Sequence, residues 1–167
     1  VGPAAPSGSW SGSASGDMEP MAIVGLSGRF AGSRNLDELW KHLAAGTDLI
    51  SDVTRWDLSD LKRRNPDFCT RGGFLEGHDE FDPLFFGVSG LEAEFMDPQQ
   101  RILLQVVWEA LEAAGIRPSR LAGTRGGVFV GQATAEYAEA SRPPEGPSVR
   151  DATGSRIRAV TAGLVSY

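Results

Sequence analysis

One stretch, Asp97 to Gly115, restricts the folds open to this chain more than any other. Asp97 suits a helix N-cap, and Pro98 falls at the first helical position, where a missing N–H costs nothing. From Ile102 to Ala114 the only polar residues are Gln105, Glu109 and Glu112. They lie at i, i+4 and i+7, one narrow wet stripe on an otherwise apolar helix, and Gly115 supplies the stop. A helix apolar on nearly every side has to be covered on nearly every side. It predicts a central, buried element.

Two further segments fit the surroundings of such a helix. Met21-Ala22-Ile23-Val24 and Gly127-Val128-Phe129-Val130-Gly131 are continuously apolar, the pattern of parallel-type strands buried on both faces. Together with the helix they predict an α/β fold. Asn35 with Glu38 reads as the opening of an earlier helix, and Gly46 as its end. Leu36, Leu39, Trp40 and Leu43 share one face of it, so Trp40 and Trp108 are expected in the core, one on each helix. Between Thr47 and Gly90 the periodicity fades and Pro66, Gly72, Gly73, Gly77 and Pro83 interrupt it; short strands or turns at most are expected there. Val1 to Asp17 is Gly, Ser, Ala and Pro around one Trp, the composition of a flexible linker. A last helix is expected from Ser155, with Ile157, Val160 and Leu164 on one face. It meets no terminator before Tyr167, and the expectation is a chain that stops inside an element.

Charge and cysteine content exclude several functions. A net charge of −6 and a pI near 4.9 argue against a nucleic-acid partner, which needs a basic face. No apolar run approaches the ~18 residues of a membrane span. The first residues lack the basic and apolar regions of a signal peptide, so a cytoplasmic setting is expected. Cys69 is the single cysteine, which removes internal disulfides and multi-cysteine metal sites. Neither His42 nor His78 forms a recognisable pair with it, and it reads as incidental. The acidic loop Gly77 to Asp82 matches no ligand frame and reads as solvated, so no metal site is assigned. Gly25, Gly28 and Gly32 are spaced GxxGxxxG and not GxGxxG, and Ser27 is not in G-x-S-x-G. The glycines read as turn formers after a buried strand, in preference to a nucleotide-binding turn.

Several collinear stretches resemble the start of a β-ketoacyl synthase domain of type I polyketide synthases. They are EPMAIVGLSGRFAG (19–32), LDELWKHLAAGTDLISDV (36–53), RGGFLEGHDEFDPLFFGVS (71–89), MDPQQRILLQVVWEALEAAGI (96–116), RGGVFVG (125–131) and AGLVSY (162–167). MDPQQR followed by WEALEAAGI is the most specific. The chain departs at Ser27-Gly28, where the family usually has Ala-Cys.

The resemblance implies an incomplete first half of a thiolase-like fold over residues 18–167, after a linker at 1–17. It implies a parent that performs decarboxylative Claisen condensation. A cysteine takes the acyl group from the phosphopantetheine of an acyl carrier protein, and two histidines assist decarboxylation. That cysteine belongs to a TACSSS-like motif absent from this sequence, so no catalytic residue is assigned and the chain alone is expected to be inactive. Carried over are Arg101, expected to pair with carboxylates, and Gln132, Ala133 and Thr134, expected near the acyl pocket. The implied partners are acyl thioesters, the carrier protein, the second half of the domain and a second copy of it. Two other readings stay open: a non-catalytic ketosynthase-like docking module, and a nucleotide-binding α/β domain.

Overall fold

Local capping signals account for the first helix. The computed structural model describes residues 20–134, 137 and 161–166. In α1 (Leu36–Ala45) the Asn35 side chain accepts from the Glu38 N–H at 2.9 Å. The Glu38 carboxylate reaches back past the cap to the Arg34 N–H at 2.7 Å, one residue beyond the usual capping box. Gly46, at φ 66°, closes the helix in the left-handed conformation that favours glycine. Its apolar stripe is only partly covered. Leu36 and Leu39 are half-buried, whereas Trp40 is 71% exposed and Leu43 also faces solvent. The expectation of a core Trp40 is therefore corrected. Helical spacing defines a face, but no described element lies over this end of it.

The irregular stretch that follows holds more structure than its sequence suggests. β1 (Ser51–Asp52) pairs antiparallel with β2 (Arg71–Gly72), Ser51 opposite Gly72. The Arg71 guanidinium clips the pair by donating to the Ile50 carbonyl at 2.7 Å and the Asp48 carboxylate at 3.2 Å. Between the strands runs α2 (Ser59–Arg64), entered where the Asp57 carboxylate accepts from the Ser59 N–H at 2.9 Å. α3 (Gly90–Phe95) is capped by Ser89, whose hydroxyl accepts from the Glu92 N–H at 3.1 Å. Both short helices, α2 within it and α3 at its end, correct the expectation of strands or turns at most in this stretch.

The strongest sequence signal becomes the longest element, α4 (Pro98–Ala113). Asp97 caps it by accepting from the Gln99 N–H at 2.8 Å. Gly115 closes it: the Gly115 and Ile116 N–H groups donate to the Glu112 and Leu111 carbonyls, each at 2.9 Å, a Schellman pattern. A Cβ at Gly25 would overlap the Ala110 carbonyl oxygen, so the 21–26 segment can lie against α4 only with glycine there. Gly25 and Gly28 lack positive φ; the left-handed turn is at Gly32, between Phe30 and Ser33. On another side Phe85 meets Trp108 edge-on at 4.8 Å, with Phe86 and Phe81 stacked behind it. α5 (Thr161–Ser166) packs against α4 as well. Five of the buried residues, Ala93, Met96, Asp97, Gln100 and Thr161, gather where α3, α4 and α5 meet.

Two expectations about burial are overturned. The α4 residues from Arg101 to Ala110 are half-buried throughout, not buried. The two apolar segments are extended but form no strand, and Met21 is 89% and Phe129 96% exposed. A strand exists only through its ladder of hydrogen bonds, and among the described residues neither segment has a ladder partner. The segment 1–17 and the start of the last expected helix, Ser155 to Val160, lie outside the described residues. No helix among the described residues is long and apolar enough to cross a membrane.

Candidate functional site

The first turn of α4 carries two consecutive glutamines, one bonded directly to the stretch 132–134 and the other linked to it through Thr161. Gln100 is 2% exposed, and a buried carboxamide has to find partners. Its Nε2 donates to Thr161 Oγ1 at 2.9 Å, and Thr161 donates onward to Gln132 Oε1 at 2.8 Å. Gln99 Nε2 donates to the Thr134 carbonyl at 3.3 Å, and Gln132 Nε2 makes a longer contact to the same oxygen at 3.5 Å. Gln100 Oε1 and Arg101 Nε are buried without a hydrogen-bond partner. The expected ion pair of Arg101 is absent among the described residues. Its guanidinium lies instead 5.8 Å from the centre of the Tyr137 ring, and the Tyr137 hydroxyl donates to the Glu94 carbonyl at 2.9 Å. Such a neutral network can hold a loop and offer hydrogen bonds, but it contains neither nucleophile nor base.

A second cluster sits halfway along α4. Arg29 grips the Glu109 carboxylate with both terminal nitrogens, one at 2.8 Å to Oε2 and the other to Oε1. The Ser27 hydroxyl adds a bond to Oε2 at 2.6 Å. The hydrogen bond from Arg29 holds the Glu109 carboxyl below its ordinary range; partial burial opposes this, and Ser27 and the charge of Arg29 reinforce it. Gln105 Nε2 meanwhile donates to the Glu80 carbonyl at 2.9 Å. The stripe expected to face water thus contributes two of its three residues to protein contacts, and only Glu112 is exposed.

The remaining sequence candidates are not brought together. Cys69 is exposed, and its thiol donates to the Arg71 carbonyl at 3.4 Å. His78 has Asp79 at 3.7 Å, and no group of three or more metal-ligating side chains gathers among the described residues. Gln132 is half-buried, with Ala133 and Thr134 exposed beside it. An open groove of about 640 Å³ runs between the 83–88 loop, α4 and α5, lined by Phe85, Leu104, Trp108 and Leu164 among others, but not by 132–134. Sequence reading missed Gln99, Gln100, Thr161 and the Arg29–Glu109 pair. The available signal was a carboxylate in the middle of an apolar helix, which calls for a partner.

Comparisons with known proteins agree on one family. The model of the β-ketoacyl synthase N-terminal domain matches residues 18–167. The chain is similar to mycoketide-CoA synthase of Mycobacterium tuberculosis, 42% identical over 159 residues, covering 89% of this chain and 4% of that protein. It is similar to polyketide synthase PksN of Bacillus subtilis, 45% identical over 126 residues, covering 71% of this chain and 2% of that protein. A solved ketosynthase from module 6 of the bacillaene synthase of Bacillus subtilis 168 superposes with a TM-score of 0.74 at 34% identity. An oxazolomycin ketosynthase domain from Streptomyces albus JA3453 gives 0.70 at 36%. Each covers 87% of this chain, which in turn spans about a quarter of the solved ketosynthase chains and a few per cent of the curated relatives.

Proposed function

This chain belongs to the β-ketoacyl synthase family, within its N-terminal domain, and we propose that it builds one wall of the acyl pocket in a carbon–carbon bond-forming acyltransferase. The superposition on a bacillaene ketosynthase over 87% of this chain carries the reading. On this reading α4 is the central helix of the first half of a thiolase-type α/β domain, and residues 132–134 lie along the path of the acyl chain. The parent joins acyl units by decarboxylative Claisen condensation. The acyl group brings the reactive carbonyl, arriving as a thioester on the phosphopantetheine thiol of an acyl carrier protein. This chain's own residues do no bond chemistry. Asp97, Gln99 and Gln100 orient the segment that borders the substrate, and the Arg29–Glu109 pair holds the preceding loop against α4. The exposed apolar segments around Ile23 and Phe129 are covered by the remainder of a ketosynthase, and a second copy completes the assembly. A cytoplasmic setting suits the single free Cys69.

The test is a chimaera in which residues 18–167 replace the corresponding part of the bacillaene module 6 ketosynthase. Acylation of the host nucleophile from an acyl-thioester donor is then measured by intact-mass spectrometry. A folded chimaera that acylates at a rate within about tenfold of the host supports the reading. A folded dimer that binds carrier protein but never acylates overturns it in favour of a docking module.

A further inference from the structure

Three elements meet through one directed hydrogen-bond chain. Gln100 is held on a sixteen-residue helix, Thr161 lies in α5 and is 3% exposed, and Gln132 belongs to the loop itself. The direction matters. The Thr161 hydroxyl has one proton, and it donates that proton to Gln132 because Gln100 presents a donor, not an acceptor, on its other side. Chains of this kind polarise one another in a dry interior, and a missing link leaves a buried group unsatisfied. Gln132, its Oε1 held by Thr161, turns its Nε2 back toward the Thr134 carbonyl, on which Gln99 also converges. The loop is therefore tied at Gln132 to the buried corner through Thr161 and at Thr134 to the exposed Gln99 side chain, and Ala133 between them is exposed.

We propose that Gln100, acting through Thr161, is a positioning residue that sets where Gln132, Ala133 and Thr134 stand beside the acyl chain. This rests on the placement of those residues at the acyl pocket. Its effect is on recognition of the acyl group and not on bond making, since a relay of carboxamides and one hydroxyl supplies neither nucleophile nor base.

The experiment uses the chimaera described above with Thr161→Val, which removes the hydroxyl at nearly constant shape, and Thr161→Ser, which keeps it. Gln132→Leu cuts the last link from the loop side and serves if the valine protein fails to fold. Two readouts are taken: the order parameter of the Ala133 amide, and the steady-state constants for acylation by a set of straight-chain acyl thioesters. With valine or leucine the order parameter should fall from the rigid range near ~0.85 to below ~0.6. KM should rise about fivefold with kcat within about twofold, the equivalent of one lost hydrogen bond in binding, and serine should restore both. Unchanged order and unchanged KM in both Thr161→Val and Gln132→Leu overturn the proposal, as does a serine variant that behaves like valine. Loosening of Ala133 in a chimaera whose unsubstituted form cannot be acylated counts against the functional reading alone and upholds the positioning.

Discussion

Glu109 shows how one charged residue survives in the middle of an apolar helix. Arg29 holds its carboxyl below the ordinary carboxylate range, so the folded chain takes up that proton less readily than the unfolded chain. The resulting stability is complete above the ordinary carboxyl range and is lost as pH falls through the lowered value. Both partners stay partly exposed, and solvent screening limits the contribution to about 1 kcal/mol. Urea titrations of the chimaera across the acid range should show Glu109→Gln less stable near neutrality and with a flatter acid limb; an unaltered acid limb would assign the pH dependence to other carboxylates. The tryptophans divide in a similar way. Trp108, set against Phe85 on α4, should lose about 2–4 kcal/mol on truncation to Ala, whereas exposed Trp40 should lose less than about 1 kcal/mol. Equal losses at the two sites would mean that α1 is covered in solution. Cys69, exposed and without a histidine partner, should remain unmodified when the chain is incubated with an acyl thioester and analysed by mass spectrometry.

At the scale of the element, capping was the most legible feature because it is the most local one. Asn35 with Gly46, and Asp97 with Pro98 and Gly115, depend on a handful of neighbouring residues and formed where their pattern placed them. Ser89-Gly90-Leu91-Glu92 carries the same kind of signal and does cap α3, yet it sits in a stretch whose periodicity had faded. α2 and α3 are six residues each, too short for an apolar period to show. Caps are not worth the same everywhere. Asn35→Ala removes an exposed cap and should cost about 1 kcal/mol, while Asp97→Ala should cost more, about 2 kcal/mol, because Asp97 is itself buried where α3, α4 and α5 meet. Paired thermal melts of the chimaera would decide this, and an equal loss would show that the α4 cap gains nothing from burial.

For the molecule as a whole, the uncovered apolar surface has consequences. Met21, Ile23, Val24, Leu26, Val128 and Phe129 are all exposed, and α4 is only half-buried. Contiguous apolar patches beyond a few hundred Å² drive association. Each ~100 Å² left uncovered also forfeits about 2.5 kcal/mol of burial, against a domain stability of only ~5–15 kcal/mol. At micromolar concentration the chain should therefore sediment as associated species and give weak near-ultraviolet signals from its tryptophans. A sharp-signalled monomer with cooperative unfolding would show that these segments find cover within the chain itself.

What the sequence determined by itself was chain-local. It specified the helix from Pro98, its cap and its stop, the left-handed glycine closing α1, and the collinear motifs that identify the ketosynthase family. Burial and partnership were decided only in three dimensions. The runs at Ile23 and Phe129 carry the composition of buried strands, but a ladder needs a neighbour, and none is present among the described residues. The stripe of Gln105 and Glu109 reads as solvent-facing until Arg29, eighty positions away, is folded onto it. The link from Gln100 to Gln132 passes through Thr161, sixty-one positions away. No period or spacing encodes such a contact. Hydrogen-bond donors and acceptors far apart in sequence find one another only when packing brings them within about 3 Å.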